Sequence, residues 1–210
     1  MSILRKITLL GPPGAGKGTQ AKLIADRMHL LHLSTGDILR DEVGQSTALG
    51  REAKTYMDVG DLVPDVLIFS MIKERLVQTD GFILDGFPRT RVQAEALETI
   101  TPLDLAVNIF LPRDEVIRRL ASRRVCRGCG KIYNLLLNPP REDPWCDECG
   151  EKLVQREDDQ PAVIVNRYEV YVQTAAPVLD FYRTRKLLRE VDGTQPRDVV
   201  LGQILDLLGI

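Results

Sequence analysis

An α/β fold, with a central parallel sheet covered by helices on both faces, is predicted by three features of this 210-residue sequence. Apolar, β-prone runs alternate with stretches whose apolar residues recur at helical spacing, as parallel strands joined by crossover helices require. The first apolar run passes through a glycine-rich turn directly into the first helical stretch, which is the setting of a phosphate-binding loop. Two segments, about 34–63 and 122–159, break the alternation and read as insertions into the sheet-forming chain.

In chain order, Ile3 to Leu10 is an apolar run suited to a buried strand. Gly11 through Lys17 then meets the pattern G-x-x-x-x-G-K. Gly14, Gly16 and Gly18 free the backbone around Ala15 to bring amide N–H groups against phosphate oxygens, and Lys17 adds a point charge. The position after the lysine, usually Ser or Thr, is Gly18, and the hydroxyl arrives one place late at Thr19. Ala21, Ile24, Ala25 and Met28 recur at i, i+3, i+4, i+7 and predict the following helix.

Leu30 to Leu33 is a short apolar run, after which Ser34 or Thr35 can cap a helix carrying Ile38 and Leu39. Leu49, Ala53, Tyr56 and Met57 share one face of a second helix that Gly60 stops. This segment is therefore a helical excursion, and Asp61-Leu62-Val63-Pro64 returns the chain to a helix through Ile68, Ile72 and Leu76. Phe82 to Asp85 is an apolar strand ending in an acid. Beside a phosphate loop, Asp85 has the place and chemistry to orient Mg²⁺ or its waters.

Val92, Ala96 and Ile100 predict a helix, Leu105 to Leu111 a buried strand, and Val116, Ile117, Leu120 and Ala121 a further helix. Arg119 and Arg123 are spaced i, i+4 and are expected to project from one face of that helix. From 122 to 159 turn residues dominate, and all four cysteines fall in two C-x-x-C pairs, Cys126/Cys129 and Cys146/Cys149. The spacing suits a four-thiolate zinc site, closed and therefore structural, stapling a unit too small for a core of its own. Two disulfides and a nucleic-acid-binding zinc ribbon are the competing readings. A long helix with Ile164, Tyr168, Tyr171 and Val172 is expected to be interrupted near Pro177. Leu187 to Val191 predicts a last strand, and Val199 to Leu208 a closing helix. His29 and His32 read as structural.

The net charge of −2 gives no footprint for non-specific binding to nucleic acid or membrane surfaces. No apolar run reaches the ~18 residues of a spanning helix and no signal-peptide pattern opens the sequence, so a cytoplasmic location is expected. No nucleophile with a base stands out. A phosphate loop, a metal carboxylate and scattered arginines suit phosphoryl transfer, which needs charge neutralisation and alignment more than covalent help.

Four segments, Gly11 to Gln20, Ser34 to Arg40, Leu84 to Thr90 and Arg156 to Asp159, resemble in sequence and order the characteristic segments of the adenylate kinases. The form resembled is the long bacterial one with a zinc-binding lid, and the likeness runs from about residue 5 to 205. The resemblance implies a P-loop core of residues 1–33, 64–121 and 160–210, an AMP-binding insertion at 34–63 and a zinc-stapled lid at 122–159. It implies transfer of the terminal phosphoryl group of ATP to AMP, giving two ADP, by a cytoplasmic monomer using Mg²⁺ and a structural Zn²⁺. Gly14 to Thr19, Arg119, Arg123, the backbone at Ile132 and Tyr133, and Gln195 would then contact ATP. Thr35, Arg40, Asp61 to Val63, Gly86 to Arg89 (with Phe87 and Pro88) and Gln93 would hold AMP, Gln93 through its amide on the adenine edge. Arg89, Arg123, Arg156 and Arg167 would clamp the phosphates, with Asp158 and Asp159 at the lid hinge. Another nucleoside monophosphate kinase remains the near alternative. A nucleotide-gated zinc-ribbon module is the distant one, disfavoured by the low pI and the lack of an aromatic-basic stretch near the cysteines.

Overall fold

The computed structural model describes residues 4–210, so the expected strand start at Ile3 lies outside the described residues. The chain runs β1 (Lys6–Leu10), α1 (Lys17–Met28), β2 (Leu31–Ser34), α2 (Thr35–Gly44), α3 (Ala48–Met57), α4 (Asp65–Val77), β3 (Phe82–Asp85) and α5 (Arg91–Ile100). It continues through β4 (Leu105–Phe110), α6 (Arg113–Ala121), β5 (Arg123–Cys126), β6 (Ile132–Asn134) and β7 (Leu153–Val154). A 3₁₀ turn (Glu157–Asp159), α7 (Pro161–Thr184), β8 (Leu188–Asp192) and α8 (Arg197–Leu208) complete it.

Five strands form a parallel sheet in the order β2-β3-β1-β4-β8. The central strands are apolar nearly throughout, since helices cover both faces. Ile7, Leu9, Ile24, Val107, Leu120 and Ile204 meet on one side, and Leu33, Ile72, Leu84, Leu97 and Phe181 on the other. The chain leaves β1 toward β2, returns to β3, and crosses to β4 on the far side of β1. That reversal opens a crevice beyond the carboxyl end of β1, where such sheets bind ligands.

Between β2 and α4 the excursion is helical, capped at Ser34 and Thr47, whose hydroxyls accept N–H bonds from Asp37 and Gly50. The segment between α6 and α7 folds into a small antiparallel sheet ordered β6-β5-β7. Its own buried cluster is Cys126, Tyr133, Cys146 and Leu153.

Three local expectations are corrected. Helix α6 ends at Ala121, so Arg123 stands on β5 and does not share a helix face with Arg119. The buried face of α5 is Gln93, Ala94 and Leu97, while Val92 is exposed, because Gln93 faces inward to satisfy a hydrogen-bond network. Helix α7 runs unbroken through Pro177. Proline removes one backbone bond, at roughly 3 kcal/mol. The turns beyond it nevertheless bury Val178, Phe181 and Tyr182, and Arg185 and Arg91 flank the Phe181 ring at 3.6 and 5.3 Å.

Candidate active site

The loop between β1 and α1 owes its shape to two glycines with different tasks. Gly16 caps α1 with φ 88°, a left-handed conformation that side chains resist, although open space surrounds it. Gly18 has ordinary dihedrals but little room. A Cβ there would lie 2.9 Å from Asp85 Oδ2, so the residue that departs from the general motif is the one that lets the end of β3 approach α1. Asp85 forms no ion pair with Lys or Arg among the described residues, which leaves its carboxylate available to a cation.

Lys17 folds back over the loop, donating to the carbonyls of Gly11 and Pro12 at 2.8 Å each. Burial lowers its pKa to about 8, opposed by Asp85 and reinforced by Arg89, Arg167 and Arg123. The guanidiniums are crowded as well. Burial first, then Arg167, lowers Arg89 to about 10, and burial followed by Arg123 and Arg40 lowers Arg156 to about 9. Arg167 is shifted down chiefly by burial. So much positive charge in a chain of net charge −2 marks a site for polyanions.

Buried Asp159 organises part of this cluster. Arg123 grips it with Nε on Oδ2 at 2.8 Å and Nη2 on Oδ1 at 2.6 Å, a bidentate pair. Arg167 on α7 reaches the same Oδ1 at 3.1 Å and donates to the Asp158 carbonyl at 2.9 Å. Burial works to raise the Asp158 carboxyl, but Arg167, Arg123 and Arg40 hold it below its ordinary value. Arg89 donates through Nε to the Gly86 carbonyl at 2.7 Å, Arg40 pairs with Asp37, and Arg119 is held by Glu115 at 2.7 Å.

All the predicted nucleotide-contact residues line one cleft of about 1650 Å³, including Ala15, Thr19, Ile132, Gln195 and the segment Asp61 to Val63. Single small-molecule sites run to ~1,000 Å³, so the space exceeds one ligand. Backbone positions around it are pinned from behind. Thr35 Oγ1 donates to the Gly86 carbonyl at 3.1 Å and Thr8 Oγ1 to the Phe87 carbonyl at 2.6 Å, ahead of Pro88. Asn166 on α7 donates to the Val59 carbonyl at 2.7 Å and to Asp61 at 2.9 Å. The Tyr133 side chain is buried in its own small sheet and is not free to reach a ligand.

The four cysteine Sγ atoms lie within 4.8 Å of one another, with Cys126 and Cys149 at 3.3 Å and Cys129 and Cys146 at 3.6 Å. A tetrahedral zinc with ~2.3 Å bonds needs sulfurs about 3.8 Å apart, so the set fits one such ion. Tyr133 Oη accepts the Asp147 N–H at 2.9 Å and lies 3.6 Å from Cys146 Sγ, placing its proton toward that sulfur.

The sequence reading missed Asp65 and Glu115. Asp65 holds Gln93 and Thr90, and Glu115 holds Arg119 and Arg118. Glu115 was detectable as an acid three and four residues before two arginines, whereas Asp65, directly after Pro64 at the start of α4, occupies a place where an acid needs no partner beyond the helix dipole.

A family model described as adenylate kinase matches residues 9–187 of the chain. Among similar proteins, the adenylate kinase of Methanocella arvoryzae is 50% identical over 207 residues, covering 95% of this chain and 96% of its own. Those of Archaeoglobus fulgidus and Lachnospira eligens are each 47% identical, covering 96% and 97% of this chain and 97% and 100% of their own.

Proposed function

This chain belongs to the adenylate kinase family and transfers the terminal phosphoryl group of ATP to AMP, giving two ADP; on that premise we propose the following division of labour among its residues. The amides from Gly14 to Thr19 and the Lys17 ammonium take the ATP phosphates, since Lys17 can turn from the Gly11 and Pro12 carbonyls to a better acceptor. Arg119, Arg123, the backbone at Ile132 and Tyr133, and Gln195 hold the rest of ATP. Thr35, Arg40, Asp61 to Val63, Gly86 to Arg89 and Gln93 hold AMP. Arg89, Arg123, Arg156 and Arg167 neutralise the charge that spreads over the transferring group.

The observation that carries this reading is the convergence of the Lys17 loop and these four guanidiniums on one cleft with room for more than one ligand. Residues 34–63 form the AMP-binding domain, residues 122–159 the lid, and the remainder the P-loop core. Asp85 holds Mg²⁺ or its waters, and when bound the ion neutralises phosphate oxygens and orients them. The four cysteines hold a structural zinc, whose closed thiolate shell leaves no position for substrate. No helix among the described residues is long and apolar enough to cross a membrane; a cytoplasmic monomer is our reading from the family resemblance alone.

A coupled assay for ADP with ATP, Mg²⁺ and each of AMP, UMP, CMP and GMP tests the reading. AMP-dependent formation of two ADP per ATP consumed is expected. Turnover with UMP or CMP in preference to AMP would reassign the acceptor.

A further inference from the structure

Gln93 lines the cleft, and its amide is engaged from behind by two groups of opposite character. Its Oε1 accepts the backbone N–H of Arg89 at 2.7 Å, and its Nε2 donates to Asp65 Oδ1 at 2.6 Å. The other Asp65 oxygen is 3.3 Å from Thr90 Oγ1, which itself accepts the Gln93 N–H at 3.1 Å as the cap of α5. Asp65 does not line the cleft; it opens α4 and stands behind Gln93.

A carboxylate only accepts and a backbone N–H only donates, so the two partners leave the amide one orientation. Flipping it would set Oε1 against the Asp65 carboxylate and the NH₂ group against the Arg89 N–H, leaving buried polar groups facing their own kind. In the held orientation one Nε2 hydrogen and one Oε1 lone pair remain free. They present a donor beside an acceptor.

We infer that Asp65 is a positioning residue that fixes the Gln93 amide so that the acceptor site selects a base carrying an amino group beside an unprotonated ring nitrogen. This rests on the reading that Gln93 faces the base of the monophosphate. Adenine has that edge; hypoxanthine, with a carbonyl beside a ring N–H, has the reverse and meets two clashes in place of two bonds. Cytosine shares the adenine pattern, so the network selects the edge while cleft dimensions select ring size.

The test compares kcat and KM for AMP and IMP as acceptors, at saturating ATP, in the wild type and in Asp65→Ala, Asp65→Asn and Gln93→Ala. Asp65→Ala is expected to lower the ratio of kcat/KM for AMP to that for IMP by about tenfold, chiefly through the KM for AMP, with the KM for ATP unchanged. Asp65→Asn can still accept from Nε2 and is expected to restore the ratio to within about threefold of wild type, which loss of a helix-opening charge alone would not allow. Should Asp65→Ala not fold, Asp65→Ser, too short to reach Nε2, takes its place. An unchanged ratio in Asp65→Ala beside a collapsed ratio in Gln93→Ala overturns the role of Asp65. An unchanged ratio in Gln93→Ala overturns the base-facing reading of Gln93 itself.

Discussion

Lys17 is the residue whose chemistry reaches furthest. Replacing it with Ala removes charge stabilisation aimed at the transferring phosphoryl group, so turnover should fall by about 10²-fold or more while the melting temperature moves little. Near-normal rates would remove Lys17 from the reaction. Its lowered pKa makes a second prediction. In the ligand-free chain the ammonium loses its proton as pH rises through about 8, and bound phosphates favour the charged form. ATP binding should therefore take up protons between pH 8 and 10 and none from Lys17 below pH 7, measurable by calorimetry in buffers of different ionisation enthalpy. The Lys17 loop was legible because glycine and lysine spacing is local. Gly18 stood out in sequence as a departure from the general motif, but its reason, the Asp85 carboxylate brought alongside by the sheet, could not be read from neighbours in the chain.

Elements were legible wherever their apolar spacing was the dominant force, and less so where a few polar contacts decided the outcome. Helix α5 was found from Val92, Ala96 and Ile100, yet it turns Gln93 inward because that amide is bonded on both sides. Helix α6 stops two residues before Arg123, where the chain begins the β5 ladder with β6. Pro177 is a strong local stop signal, overridden by the aromatic residues packed beyond it. For the small sheet β5–β7 the two cysteine pairs were the informative signal. With a buried cluster of only four residues, that unit would depend for its stability on the metal proposed for its four cysteines. Cys129→Ser should lower its stability, seen as faster amide exchange in β5 to β7 with little change in β1 to β4, and should retain residual turnover at low temperature. Lost turnover with unchanged exchange in β5 to β7 would instead point to a metal at work in the reaction.

At the scale of the whole molecule, strand order sets function by leaving a crevice at the carboxyl end of β1, into which both insertions and α7 bring charge. Alternation of strands and helices announced the parallel sheet, but nothing in that alternation told that β3 would insert between β1 and β2. The segregation of charge yields a further prediction. ATP binding should weaken steeply between about 50 mM and 500 mM salt, because its partners are concentrated cations. Thermal stability should shift little over the same range, since exposed pairs such as Lys54 with Glu157 contribute under about 1 kcal/mol. A salt-independent ATP affinity would contradict the electrostatic account of the cleft.

Asp159 ties together both ends of the 122–159 insertion, since Arg123 lies at its start, Asp159 at its close, and Arg167 just beyond on α7. When products depart, this carboxylate remains. The ligand-free cleft therefore carries its own counter-ion, a carboxylate shared by Arg123 and Arg167. On the phosphate-binding roles proposed for Arg123 and Arg167, substrate capture would resemble ion exchange, in which incoming phosphates share or displace an internal anion, rather than the filling of a bare positive hole. Stray inorganic anions meet the same competitor, and only a ligand with several phosphate oxygens in the right places has the advantage.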